Sequence, residues 1–290
     1  MTSGSRRGDY AKAVALMIAG FSIVPGMDAI AKYLSAELPV VQIAWARFVF
    51  HLAFVLPIVL VRHRSVLWPR RPWLQLSRGA FQMTATILFF AAIARMPIAD
   101  GLALLFSYPL IVTAFSPLLL GERVRRTQWM GVALGLVGVL SIVRPGFGMF
   151  QIAGVFALGA GGCFAMYVIA TRKVAGSSPP LVTLVYSAIV GAAVLTLAAP
   201  SFWVAPHSSH WVLLVVIGFL AALGHLLIVK AFELAPASRI APFGYFEIVA
   251  ATMLGFFVFD DLPDLWTVCG MVVIVAAGLL VSYSTRSDAM

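Results

Sequence analysis

WVLLVVIGFLAALGHLLIVKAFE, residues 211–233, carries no Asp, Glu, Lys or Arg between Trp211 and Val229. As an α-helix such a run is long enough to cross a hydrocarbon core of ~30 Å. Runs like it fill nearly the whole chain. The 290 residues are 62% hydrophobic and 11% charged, with a mean hydropathy of +1.01, whereas a soluble domain averages roughly 25% charged residues. That leaves too few polar side chains to coat a water-exposed surface, and no stretch between the runs makes a separate soluble domain. The fold class is therefore all-α and integral to a membrane, where helices satisfy their own backbone in lipid.

Outward from 211–233, apolar windows with flanking breakers predict ten transmembrane helices: 12–34, 40–61, 74–95, 98–120, 127–143, 151–172, 180–199, 211–233, 238–259 and 265–283. Pro39, Pro72, Pro97, Pro145, Pro179 and Pro236 stand at or near span ends, where a missing N–H costs least. Basic residues test this map independently. Sixteen of the twenty Lys and Arg fall on one set of alternate loops and the termini, Arg71, Arg78, Arg125, Arg172 and Lys173 among them. The other side holds Lys32, Arg95 and Arg144 beside the acidic Asp260, Asp261 and Asp264. Positive-inside bias thus places both termini in the cytoplasm of a multi-pass inner-membrane protein. Arg6, Arg7 and Lys12 lead into a retained first span. The net charge of +9 sits in short clusters that meet anionic lipid headgroups. Membrane lipid is a partner and nucleic acid is not.

A shift of 139–140 residues lays the second half of the chain on the first. Met96-Pro97 falls on Ala235-Pro236, Glu122 on Asp261, Gly131 on Gly270, Gly138 on Ala277 and Pro39 on Pro179. Five spans per half is an odd number, so the second copy enters the membrane from the opposite face. Two inverted five-helix repeats, residues 10–143 and 150–283, are expected. That architecture is typical of secondary transporters, with the substrate site near the midplane between the halves.

The segment Trp45-Ala46-Arg47-Phe48 resembles a signature of the EamA family within the drug/metabolite transporter superfamily. Leu119-Leu120-Gly121-Glu122-Arg123, followed by Gln128-Trp129-Met130-Gly131, Gly135 and Gly138, is similar to that family's most characteristic stretch; the second copy departs from it with Asp261 in place of Glu. The resemblance covers nearly the whole chain and implies a carrier driven by a gradient rather than by ATP; the sequence holds no GxxxxGK[ST]. Met27-Asp28-Ala29-Ile30-Ala31-Lys32-Tyr33-Leu34 with Gln42 to Arg47 looks most like the subgroups containing bacterial riboflavin and S-adenosylmethionine carriers. The implied substrate is a small organic metabolite, aromatic, heterocyclic or nucleoside-like; amino-acid and other metabolite exporters of the same family are the alternative. Such a carrier needs no cofactor and works as a monomer or homodimer.

Ionisable residues within spans are costly and are functional candidates by default. Asp28 lies nine residues before Glu37 and Arg47 ten after it, so a hairpin brings both to about 14 Å from its turn, where they can pair. His51 follows Arg47, and Lys32 follows Asp28, at i+4 on the same helix faces. Such a pair serves either as a fold-holding ion pair or as a gate or substrate anchor. His225 and Glu247 are each eleven residues from Pro236, which places them at one depth near the midplane. They make a proton-coupling pair or a structural polar contact. Tyr108 and Tyr245 complete the expected site, from an aromatic set that includes Phe89, Phe90, Phe106, Phe164, Tyr167, Phe243 and Phe246 and suits a flat substrate. His207 and His210 lack further ligands, so no metal is expected. Cys163 and Cys269 read as buried packing residues, and Gly161-Gly162 as a close helix contact. An intramembrane enzyme is disfavoured, since no HExxH, facing aspartate pair or nucleophile with a base is present. A receptor that binds a metabolite without moving it is the remaining class.

Overall fold

In the computed structural model, which describes residues 3–62, 69, 71–121, 124–143, 150–174, 179–235 and 240–286, every regular element is helical. The α-helices are α1 (Ser3–Leu34), α2 (Val40–Arg62), α3 (Pro72–Ile93), α4 (Ile98–Leu105), α5 (Tyr108–Leu119), α6 (Arg126–Val143), α7 (Phe150–Val174), α8 (Pro180–Ala198), α9 (Ser208–Leu234), α10 (Phe246–Phe259) and α11 (Leu265–Arg286), with short 3-10 helices at Ala199–Phe202 and Ala241–Tyr245. Eight segments are long and apolar enough to cross a membrane, with two shorter apolar helices at Phe243–Phe259 and Leu265–Leu280. Glu122, Arg123, Arg144, Pro145 and Pro236, used above for topology and repeat, lie outside the described residues.

Two expected continuous helices are interrupted. The span 98–120 breaks at Phe106-Ser107 into α4 and α5. Pro109 has no N–H to offer Leu105, so the α-ladder cannot run through. Ser107 N–H instead donates to Leu104 O at 3.1 Å, and the ladder restarts from Ser107 O, which accepts from Leu110 N–H at 3.0 Å. The span 238–259 is interrupted at the equivalent place, where the 3-10 turn Ala241–Tyr245 gives way to α10.

The packing has an approximate two-fold pattern. α3 lies along α7 and α1 along α9, α2 packs on α9 and α3 on α8, and α10 packs on α1 while α4 and α5 pack on α7. Exchanging the halves turns each member of these pairs into its companion. The contacts α6 with α11, α2 with α8 and α4 with α10 map onto themselves. Local geometry follows the same rule. Gly121 (φ 69°) and Asp260 (φ 55°), the positive-φ residues among those described, are equivalent in the repeat. Asp260 ends α10, with Asp261 N–H closing back on Gly255 O at 3.0 Å, the position where glycine is normally favoured. Close approach is handled by small residues: a Cβ on Gly20 of α1 would lie 3.0 Å from Gly224 O of α9, and the equivalent Ala160 and Ala85 are buried too.

At the end of the bundle holding the α1–α2 and α3–α4 turns, contacts tie the two halves together. Lys32 forms an ion pair with Asp261, donates to Met96 O at 3.1 Å and lies 4.9 Å from the Phe259 ring centroid. Gln42 bonds both backbone groups of Val204, at 2.9 and 3.0 Å. Trp45 Nε1 donates to Thr196 Oγ1 at 3.0 Å. Lys32 therefore turns away from Asp28 to staple this end.

Candidate functional site

α1, α2, α9 and the restart of α10 bring the ionisable residues into one electrostatically connected cluster. Asp28 of α1 is 2% exposed and Arg47 of α2 is 4% exposed. Their charges are within electrostatic range of each other, yet among the described residues no N···O contact of 4.0 Å or less joins them. The expected direct pairing is thus absent in this conformation. Asp28 Oδ1 and Arg47 Nε and Nη1 are buried without a hydrogen-bond partner. The Arg47 guanidinium rests instead 4.4 Å from the Phe48 ring centroid, and Phe48 in turn fills the space a side chain would occupy at Gly191 of α8.

One turn beyond Arg47, His51 presents its ring to His225 of α9, with centroids 5.6 Å apart and planes at 52°. Both His51 nitrogens are buried and unpartnered. His225 Nδ1 is 2.7 Å from Ala221 O. A carbonyl only accepts, so Nδ1 carries the proton and Nε2 of the neutral ring is left as an acceptor. Glu247 occupies the first turn of α10, where the helix dipole favours its negative charge. It is buried and senses Asp28 and Tyr108 electrostatically. Among the described residues Glu247 makes no hydrogen bond to His225. His51 and Arg47 are among the histidine's ionisable neighbours.

Both tyrosines sit at the helix breaks. Tyr108 begins α5 and Tyr245 ends the 3-10 turn before α10. Phe106 bridges them, with ring centroids 5.9 Å from Tyr108 and 5.4 Å from Tyr245. The row continues from Tyr108 edge-to-face onto Phe164 at 4.8 Å, then by stacking onto Tyr167 at 5.4 Å. Gly161 of α7 passes the break so closely that a Cβ there would lie 3.1 Å from Leu105 O and 3.2 Å from Ser107 Oγ, whereas Gly162 has nothing within 4 Å. Phe89 and Phe90 are core residues, and Phe246 is 40% exposed on the outer surface, so these do not join the row.

Arg78 departs from the topology reading. Counted there among loop cations, it is 1% exposed inside α3. Its Nε donates to Gln75 Oε1 at 3.2 Å, Nη1 to Tyr167 Oη at 3.2 Å and Thr171 Oγ1 at 3.4 Å, and Nη2 to Thr183 O. It thereby joins α3, α7 and α8 and holds the far end of the aromatic row. Its signal in the sequence is Gln75 at i−3 and Gln82 at i+4, a polar face within a span. The cysteines also differ from expectation: Cys269 is exposed on α11 and Cys163 is half-buried on α7 rather than buried. His207 and His210 meet edge-to-face at 5.5 Å, and His210 Nε2 is 3.7 Å from Glu37 Oε2.

The EamA-like transporter family profile matches residues 11–144 and again 151–283. This chain belongs to that family. Among its curated relatives, an S-adenosylmethionine uptake transporter of Rickettsia bellii is 29% identical over 89% of each chain. A pseudopaline exporter of Pseudomonas aeruginosa is 30% identical over 90% of this chain and 92% of its own. A riboflavin transporter of Vibrio cholerae is 28% identical over 89% of this chain and 88% of its own. A crystal structure at 20% identity shares the fold, with a TM-score of 0.66 over 94% of this chain and 98% of the other. The family member described here is a multi-pass, all-helical transporter of a small metabolite.

Proposed function

We propose that this EamA member is a ten-span secondary carrier of two inverted repeats, residues 10–143 and 150–283, with both termini in the cytoplasm. It moves a small organic solute with a flat heteroaromatic part. The observation that carries this reading is the meeting of two broken helices at equivalent places in the repeat. Their free ends present Tyr108, Tyr245 and Glu247 beside the buried Asp28, Arg47 and His51 and the half-buried His225. Discontinuous helices near the midplane are where inverted-repeat carriers hold substrate and coupling ion. The row from Tyr245 to Tyr167 offers faces to a ring system, in keeping with relatives named for S-adenosylmethionine and riboflavin.

Protons are the proposed coupling ion, with Glu247 as the group that gains and loses one. Asp28 and Tyr108 face it electrostatically, and Arg47 and His51 face His225. The test is transport by purified protein in proteoliposomes, with S-adenosylmethionine and riboflavin as trial substrates. Glu247→Gln is expected to insert and fold like the parent yet lose accumulation driven by a pH gradient, while substrate exchange at equal pH persists. Unaltered pH-driven accumulation in this variant would remove Glu247 from the coupling step.

A further inference from the structure

We infer that Asp28 and Arg47 together form a receptor for a zwitterionic α-amino-acid head group, the carboxylate taking the ammonium and the guanidinium the carboxylate. This rests on the carrier reading only in placing the site on the substrate path. The argument starts from an unusual accounting of charge. A buried carboxylate and a buried guanidinium within electrostatic range would ordinarily close into a bidentate pair, because an unpartnered charge in a low-dielectric interior costs several kcal/mol. Here they remain apart, and each keeps unpartnered buried atoms: Oδ1 on Asp28, Nε and Nη1 on Arg47. Their helices are seated chiefly on other elements, α1 on α9 and α10 and α2 on α8 and α9. Phe48, seated against Gly191, also occupies one face of the guanidinium.

Two opposite charges held apart favour a ligand that carries both signs at a short separation. A lone cation would satisfy Asp28 and leave Arg47 worse placed, and a lone anion would do the reverse. A zwitterion completes both. The α-amino-acid head is a small organic group with that property, and His51, with both nitrogens unpartnered, offers a further polar contact at its edge. The aromatic row beginning at Tyr108 then receives the rest of the solute. Charge recognition and ring recognition are separate tasks on separate elements, so a flat solute without the head group would keep only the second.

The test uses matched solutes that differ in the head alone, with the full chain in nanodiscs and binding read by thermal stabilisation. S-adenosylhomocysteine carries the head group; 5′-methylthioadenosine keeps the ring, sugar and thioether and lacks it. Methionine and 3-(methylthio)propylamine form a second pair without the ring, in which the mate keeps the ammonium for Asp28 and lacks only the carboxylate for Arg47. At least one head-bearing solute is expected to bind about tenfold or more tightly than its truncated mate, a difference of about 1.4 kcal/mol. Asp28→Asn and Arg47→Lys, each checked for a parental melting profile without solute, are expected to reduce the ratio for S-adenosylhomocysteine over 5′-methylthioadenosine toward one while leaving 5′-methylthioadenosine binding unchanged. The proposal is overturned if no pair shows a preference for the head group, including the case in which only riboflavin binds. It is equally overturned if a folded Asp28→Asn variant keeps the parental ratio. Head-group preference in a protein that moves none of these solutes in proteoliposomes would defeat the carrier reading and leave the receptor standing.

Discussion

Arg78 shows how one side chain can join parts of the chain that are far apart in sequence. Its guanidinium contacts α3, α7 and α8 at once, and no carboxylate is among its partners. Four neutral acceptors share the charge, which makes the arrangement dependent on the fork geometry that only arginine supplies. Arg78→Ala removes the charge and takes the donor from Gln75 Oε1 and Tyr167 Oη, so a loss of about 2–4 kcal/mol is expected. Arg78→Lys keeps the charge but reaches fewer of these acceptors, and an intermediate loss is expected. Thermal unfolding of the purified variants ranks the three proteins. Equal stability of parent and Arg78→Ala would mean the network does not bear on folding. Asp28 and Arg47 differ in kind, because their partners are not supplied by the chain itself.

The broken helices give the elements their distinct jobs. α4 and α5 share a span, yet Pro109 and the turn at Ser107 free backbone carbonyls and set Tyr108 at a helix start. In the second half the Ala241–Tyr245 turn does the same for Tyr245, whose hydroxyl occupies the space above Gly278 of α11. A methyl group at residue 278 would overlap that hydroxyl. Gly278→Ala is therefore expected to destabilise the protein by about 1–3 kcal/mol through overpacking and to displace Tyr245 from the aromatic row. Adding Tyr245→Phe vacates the space, so the double variant is expected to regain most of the lost melting temperature. If the double variant melts no higher than Gly278→Ala alone, the clash is not the cause.

For the whole molecule, the packing relates each half to the other more than to itself. α1 finds its main partner in α9 and α3 in α7, so neither repeat makes a separate core. Contacts between halves also close one end, through the Lys32–Asp261 ion pair and the Gln42–Val204 hydrogen bonds. The proposed topology puts that end outside the cell. In a background of Cys163→Ala and Cys269→Ala, a membrane-impermeant thiol reagent added to intact cells is expected to modify Leu262→Cys and spare Thr127→Cys. Both positions are exposed in the structure. The reverse labelling would invert the orientation.

Apolar run length alone determined the all-helical membrane fold, because crossing ~30 Å of hydrocarbon demands about 20 apolar residues and internal hydrogen bonding. Helix ends at Leu34, Val40 and Leu265 were legible from the turn and proline residues around them, and the repeat was legible from glycines and prolines in matching order. Buried charge also marked Asp28, Arg47, His51, His225 and Glu247 from composition, since such residues stand out against an apolar background. Their partners were not legible. Distance along a hairpin predicts depth but not the rotation of each helix, so it suggested an Asp28–Arg47 pair and a His225–Glu247 pair. The tertiary structure instead sets His225 against His51, and leaves Asp28 and Arg47 apart. Arg78 was misread for the same reason: a cation six residues inside a helix looks like a loop anchor until packing shows that its side chain turns inward. Hydropathy is a property of each residue taken singly, whereas the face a residue presents depends on which helices surround it, and that only the packed bundle decides.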